Sequence, residues 1–182
     1  MKKKVVLLGD SIRLAYGKYV PDMLGEAYEV WQSEDNCRFA QYTLRMLFDE
    51  KENIQNADVI HWNNGLWDVT ELYGDGMFTP DDFYVNTMLR IARVLKSITP
   101  NVIFATTTPV HPEYPYNDNE KIKHLNEIIV PKLQEMGIVI NDLHALAMTD
   151  LYTYLCEDKI HPTEEGAKSY AEQVVKAIKQ FD

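Results

Sequence analysis

A chain of 182 residues with 46% hydrophobic and 25% charged residues has the size and composition of one domain around an apolar core, which argues against disorder over most of its length. Its formal net charge of −10 at pH 7 sets it against nucleic-acid backbones and anionic membranes as partners. No segment approaches the roughly 18 consecutive apolar residues of a membrane span, and a single domain over residues 1–182 is expected.

In chain order, Met1-Lys2-Lys3-Lys4 opens like a signal peptide, but the apolar run Val5–Leu8 is shorter than an h-region of roughly 7–15 residues. Lys4–Leu8 reads better as a buried strand, and Gly9-Asp10-Ser11 follows it directly. Further strands are expected at Tyr28–Trp31, Val59–Asn63, Val102–Thr106 and Ile138–Asn141, each rich in branched or aromatic residues and bounded by polar or turn residues. Between them the apolar period becomes helical. From Asp81 to Ile98, residues Tyr84, Met88, Ile91, Leu95 and Ile98 share a face. Thr79 is the expected N-cap of that helix, with Pro80 in its first turn, and Thr99-Pro100 stops it. A helix over Asn119–Met136 should end at Gly137, with a kink or break at Pro131. Ala167, Tyr170, Ala171, Val174, Val175 and Ile178 mark a closing helix.

Alternating strands and helices imply an α/β fold with a parallel sheet covered by helices on both faces. Ligands of such sheets bind beyond the carboxyl ends of the strands. That rule selects the loops Gly9–Arg13, Gln32–Arg38, Asn64–Phe78, Thr107–Asp118 and Leu143–His161. Ser11 falls in the first of them. Taken alone, Asp-Ser after a strand reads more readily as a helix cap than as a nucleophile. Asp158-Lys159-Ile160-His161-Pro162 falls in the last. A serine needs a base, histidine titrates near neutrality, and a carboxylate is needed to hold the ring and stabilise its cation.

The two motifs together are far more specific than either. Val6-Leu7-Leu8-Gly9-Asp10-Ser11 and Asp158-Lys159-Ile160-His161-Pro162 resemble the first and last blocks of the SGNH hydrolases, also called GDSL esterases and lipases. The resemblance spans essentially the whole chain. It implies Ser11 as nucleophile, His161 as base and Asp158 as orienting acid. The expected architecture is a three-layer αβα sandwich around a five-stranded parallel sheet in the flavodoxin-like order 2-1-3-4-5. The G-x-S-x-G spacing of the other large serine-esterase class is absent, since Arg13 stands at its second glycine.

The middle blocks depart from the pattern. Asp35-Asn36-Cys37-Arg38-Phe39 stands where the family places an oxyanion-hole glycine, with Cys37 as the expected equivalent. Gly65-Leu66-Trp67-Asp68 replaces G-x-N-D, so Trp67 takes the place of a donor asparagine. Asn64 is the expected substitute, giving an oxyanion hole of Ser11, Cys37 and Asn64. Asp10, Trp67 and Tyr114 are expected to contact substrate. The aromatics Trp67, Tyr73, Phe78, Tyr114 and Tyr116 cluster in two crevice loops and suit sugar faces or acyl chains. His61, His111, His124 and His144 read as structural or exposed. Cys37 and Cys156 form no metal-ligand spacing, which fits a reducing cytoplasm.

The expected activity is hydrolysis of a small acyl ester, with O-acetyl on a carbohydrate preferred, without cofactor or metal. The expected partner is a small-molecule ester, not nucleic acid or membrane, and the oligomeric state is open. Two other readings compete: a non-catalytic carbohydrate- or ligand-binding module on the same scaffold, and a flavodoxin-like phosphate or nucleotide binder.

Overall fold

The computed structural model describes residues 1–182. The elements run β1 (Lys3–Leu8), α1 (Ser11–Gly17), α2 (Val20–Leu24), β2 (Tyr28–Gln32), α3 (Ala40–Asp49), α4 (Lys51–Ile54), β3 (Val59–Asn63), α5 (Asp81–Ile98), β4 (Val102–Ala105), α6 (Asn119–Glu135), β5 (Val139–Asn141), α7 (Leu143–Thr149), α8 (Leu151–Tyr154) and α9 (Glu164–Ile178). The five strands form one parallel sheet in the order β2-β1-β3-β4-β5. β1 and β3 lie side by side, pairing Val5 with Val59 and Leu8 with Trp62. All of β3 and β4 is buried, because helices cover both faces. α1, α2 and α9 pack together in one layer, and α5 packs on α3 and α6 in the other. No helix is long and apolar enough to cross a membrane.

One local expectation is narrowed and two are corrected. Pro131 does not break α6, which runs from Asn119 to Glu135. Pro131 and Glu127 are both exposed, so the Glu127 carbonyl that loses its helical donor can turn to water. Pro80, rather than Thr79, is the cap of α5. Thr79 is buried and its N–H donates to Asp68 O at 2.9 Å. The stretch after β5, expected as a loop, contains α7 and α8. Gly137 does occupy the left-handed position that ends α6, at φ 71°.

Asp68 fastens the loop after β3 to the next layer. Phe39, the N-cap of α3, offers no side-chain acceptor, and both oxygens of Asp68 take the Ala40 N–H at 3.1 Å instead. Burial pushes this carboxyl up to about 7, against the bonds from Ala40 and Thr79 that pull it down. The folded state therefore holds this proton more tightly than an unfolded chain, whose Asp titrates near 3.8. The Asp68 contribution to stability accordingly grows as pH falls from about 7 and is lost as pH rises through that window. Urea midpoints of wild type and Asp68→Asn should diverge in favour of wild type as pH is lowered from about 8 to about 5. A difference that stays flat with pH would refute this titration.

Candidate active site

The turn after β1 is built around a contact that only glycine permits. A Cβ on Gly9 would sit 2.0 Å from Asn63 Oδ1 and 2.8 Å from Arg13 Cβ. With no side chain there, the end of β3 closes on the turn, and Asn63 Nδ2 donates to Asp10 Oδ1 at 2.8 Å. The same oxygen accepts the Ile12 N–H at 3.0 Å as the N-cap of α1. Asp10 is 1% exposed, and its Oδ2 has no partner. Burial raises its pKa, against the lowering effect of Asn63, Ile12, Arg13 and His161. The expected substrate contact by Asp10 is thus corrected: the carboxylate faces inward and braces the turn.

Asn63 is in turn held from behind. Its Oδ1 accepts from Tyr16 Oη at 3.3 Å, Tyr16 Oη lies 3.2 Å from His61 Nδ1, and His61 Nε2 lies 3.0 Å from Asn141 Nδ2. Gln173 Nε2 on α9 donates to Asn141 Oδ1 at 2.8 Å. Burial pushes His61 down to about 3, so its ring is neutral near pH 7. The partners then require Nδ1 to carry the proton and Nε2 to accept from Asn141. A single buried chain of polar groups thus runs from α9 to Asp10.

Asp158 and His161 meet through a tight turn between α8 and α9. Asp158 Oδ1 accepts the N–H groups of Ile160 at 3.1 Å and His161 at 2.9 Å, and Lys159 adopts φ 72° to close the turn. Asp158 Oδ2 lies 2.7 Å from His161 Nδ1. Partial burial opposes ionisation of Asp158, but the bonds from His161 and Ile160 outweigh it and hold the pKa below its ordinary value. With Nδ1–H donated to Asp158, Nε2 is left as the acceptor. The turn is anchored by Cys156 N–H to His161 O at 2.8 Å and His111 N–H to Lys159 O at 2.9 Å.

Ser11 and His161 line the same cavity of about 440 Å³. No hydrogen bond joins the Ser11 hydroxyl to the ring; the two residues are brought together only as walls of this cavity. Trp67, Phe78 and Tyr114 line the cavity too, as the aromatic clustering suggested, whereas Tyr73 is 83% exposed and lies outside it. Asn36, Phe39, Leu66, Thr70, Leu72 and Ile160 complete the wall and were not singled out from sequence. Their only signal was adjacency to the recognised blocks. The other four histidines do not line this cavity.

Two expected oxyanion donors are corrected. The Cys37 N–H donates to Gly9 O at 3.0 Å, and Cys37 Sγ accepts the Gly9 N–H at 3.1 Å, so Cys37 ties the second loop to the first. Its neighbour Arg38, at φ 50°, holds the left-handed conformation that favours glycine, which places the missing glycine one residue later than expected. Asn64 is fully buried. Its Oδ1 accepts from Trp62 Nε1 at 2.8 Å, and its Nδ2 donates to Thr43 Oγ1 at 2.8 Å and Arg38 O at 3.0 Å. Its amide is therefore a clamp on neighbouring segments. Trp67, 42% exposed, stands at the cavity with its indole N–H unengaged.

Arg13, noted in sequence only for replacing a glycine, is 1% exposed. It donates to Ser33 O and Asp35 O, each at 2.7 Å, and so holds the second loop against the first turn.

No family model matches the chain. It is 27% identical over 177 residues to the rice (Oryza sativa subsp. japonica) GDSL esterase/lipase WDL1, covering 88% of this chain and 66% of that protein. Over 84 residues it is 37% identical to an acetylxylan esterase of Xylanibacter ruminicola, covering 44% of this chain and 17% of the relative. The chain therefore spans just under two thirds of the first relative and a small part of the second. Among solved structures, a lipase/acylhydrolase from Enterococcus faecalis superposes with TM-score 0.78 at 18% identity, covering 99% of this chain and 96% of that one. Axe2, an acetylxylan esterase from Geobacillus stearothermophilus, gives TM-score 0.77 at 17% identity, covering 97% and 94%.

The clamp role of Asn64 has a direct consequence. Asn64→Ala should lower stability by about 1–3 kcal/mol, because Trp62 and Thr43 lose a buried partner, and a lower urea midpoint will report it. An unchanged midpoint would show these three bonds to be dispensable.

Proposed function

From the premise that the chain belongs to the SGNH hydrolase superfamily, we propose that it is a serine esterase whose nucleophile is Ser11, with His161 as base and Asp158 as orienting acid. The observation that carries this reading is the cavity lined by both Ser11 and His161, with the ring held from its far side by Asp158 at 2.7 Å. His161 Nε2 takes the proton as Ser11 Oγ attacks the ester carbonyl. The oxyanion is received by the Ser11 N–H, which has no intrahelical acceptor in the first turn of α1, and by the Trp67 indole N–H. His161 then hands its proton to the leaving alkoxide, and water releases the acyl group by the same route.

The sheet order supports opposite sides for the two halves of the ester. Phe39 follows β2 on one side of Ser11, and its ring packs on Phe78 at 5.2 Å. Tyr114 follows β4 on the other side, close to the His161 turn that anchors to His111. The leaving alcohol must lie near the acid that protonates it, so it takes the Tyr114 and Ile160 side. The acyl group takes the Phe39 and Phe78 side. A cavity of about 440 Å³ that holds both halves suits a short acyl chain, and O-acetyl on a carbohydrate is the preferred substrate. An anion-binding reading is disfavoured because the Asp10 carboxylate is buried directly beneath the turn.

A fluorophosphonate probe should label the wild type covalently and leave Ser11→Ala unlabelled. The same variant, folded by circular dichroism, should lose p-nitrophenyl acetate hydrolysis; retention of most activity would sink the assignment. Trp67→Phe should lower kcat on the order of 10²-fold with little change in KM, because the oxyanion exists only in the transition state. A change confined to KM would make Trp67 a wall and not a donor. Turnover should fall from acetyl through butyryl to octanoyl p-nitrophenyl esters, whereas a preference for octanoyl would point to lipid or thioester substrates.

A further inference from the structure

The catalytic cavity is continuous with a second compartment of different character. Tyr114 and Leu72 line both. The second compartment is an open groove of about 660 Å³, within the roughly 300–1,000 Å³ range of ligand sites. Its wall is mostly polar, with Glu71, Tyr116, Asn117, Asp118, Glu120 and Lys121, whereas the catalytic cavity is mostly apolar.

We propose that the alcohol half of the ester is a neutral oligosaccharide, with one ring beside Tyr114 in the catalytic cavity and further rings along this groove. The proposal rests on the serine-esterase reading for its placement of the alcohol on the Tyr114 side. The groove itself is a built feature. One wall comes from the loop after β3 and the other from the loop after β4 with the first turn of α6, and they are stitched together. Asn117, 7% exposed, donates to Leu66 O at 2.8 Å and accepts from Thr70 Oγ1 at 3.2 Å. The Glu71 N–H donates to Tyr116 O at 2.8 Å. The groove is therefore pre-formed and spends little ordering entropy on binding.

The chemistry of the wall selects the ligand. Glu71 is paired with Lys121, which leaves Asp118 and Glu120 as net negative charge in a chain that already carries −10. An anionic alcohol is repelled, while sugar hydroxyls can donate to these carboxylates. Tyr116, 48% exposed, stands edge-to-face with Tyr114 at 5.8 Å between centroids. Tyr114 lines both compartments and Tyr116 only the groove, and the two rings offer flat apolar faces to the C–H side of a sugar ring.

The test pairs catalysis with binding on the full chain. The probes are monoacetylated xylotriose, p-nitrophenyl acetate, and unacetylated xylotriose and tri-galacturonate for calorimetry. In Tyr116→Ala, the ratio of kcat/KM for acetyl-xylotriose to that for p-nitrophenyl acetate should fall about tenfold. Binding of xylotriose should weaken by a similar factor, and Glu120→Lys should allow tri-galacturonate, excluded by the wild type, to bind. A wild type that hydrolyses p-nitrophenyl acetate but gains nothing from the triose, and binds none, overturns the groove and leaves the esterase reading standing. A wild type without esterase activity that still binds xylotriose through Tyr116 overturns the serine reading and leaves the groove standing. An unchanged ratio and unchanged binding in both variants overturn the proposal.

Discussion

Everything at the candidate site depends on how closely β3 can approach the turn after β1. The approach requires that residue 9 have no side chain, since Asn63 Oδ1 would lie 2.0 Å from a Cβ there. Once the two segments close, Asn63 reaches Asp10, Asp10 caps α1, and Ser11 is presented as the first residue of that helix. A small positional error in Ser11 would be costly to any reaction that needs aligned atoms. The buried chain through Tyr16, His61, Asn141 and Gln173 makes that error small by tying the turn, through β3 and β5, to the closing helix α9. Such a chain is favourable only when its members are satisfied, and the neutral His61 lets one ring nitrogen donate while the other accepts.

The loops that face the site are held by polar side chains that themselves never reach it. Arg13 takes the carbonyls of Ser33 and Asp35, Asn64 takes Arg38 and Thr43, and Asp68 takes the start of α3. Arg13 is a buried cation whose bonded partners are backbone carbonyls, so the nearby Asp10 carboxylate offsets its charge. The interior beneath the site is accordingly polar and rigid, while the cavity above it is mostly apolar and carries the aromatic rings.

The departures from the expected family blocks find their physical meaning in this arrangement. Where a donor asparagine was expected, Trp67 reaches the cavity, and the asparagine three residues earlier has turned inward. Where a glycine N–H was expected, Arg38 supplies the left-handed backbone without being glycine, and Asn36 Oδ1 accepts its N–H at 2.7 Å. Asn36 also lines the cavity.

By itself the sequence determined the sheet, its five strands within a residue or so, and the meeting of Asp158 with His161 on one turn. These are legible because strand periodicity is local, and because Asp158 and His161 are three residues apart on one turn that closes through its own backbone. The direction of Asn63, Asn64 and Cys37 was decided only by tertiary structure. Each has its partner 21–53 positions away, in Thr43, Gly9 or Asp10. Sequence spacing carries no information about which of two neighbouring polar groups will find a buried partner first. The continuity of the two grooves across Tyr114 and Leu72 is likewise a product of folding, since it arises where the loops after β3 and β4 meet over a sheet that brings their strands together.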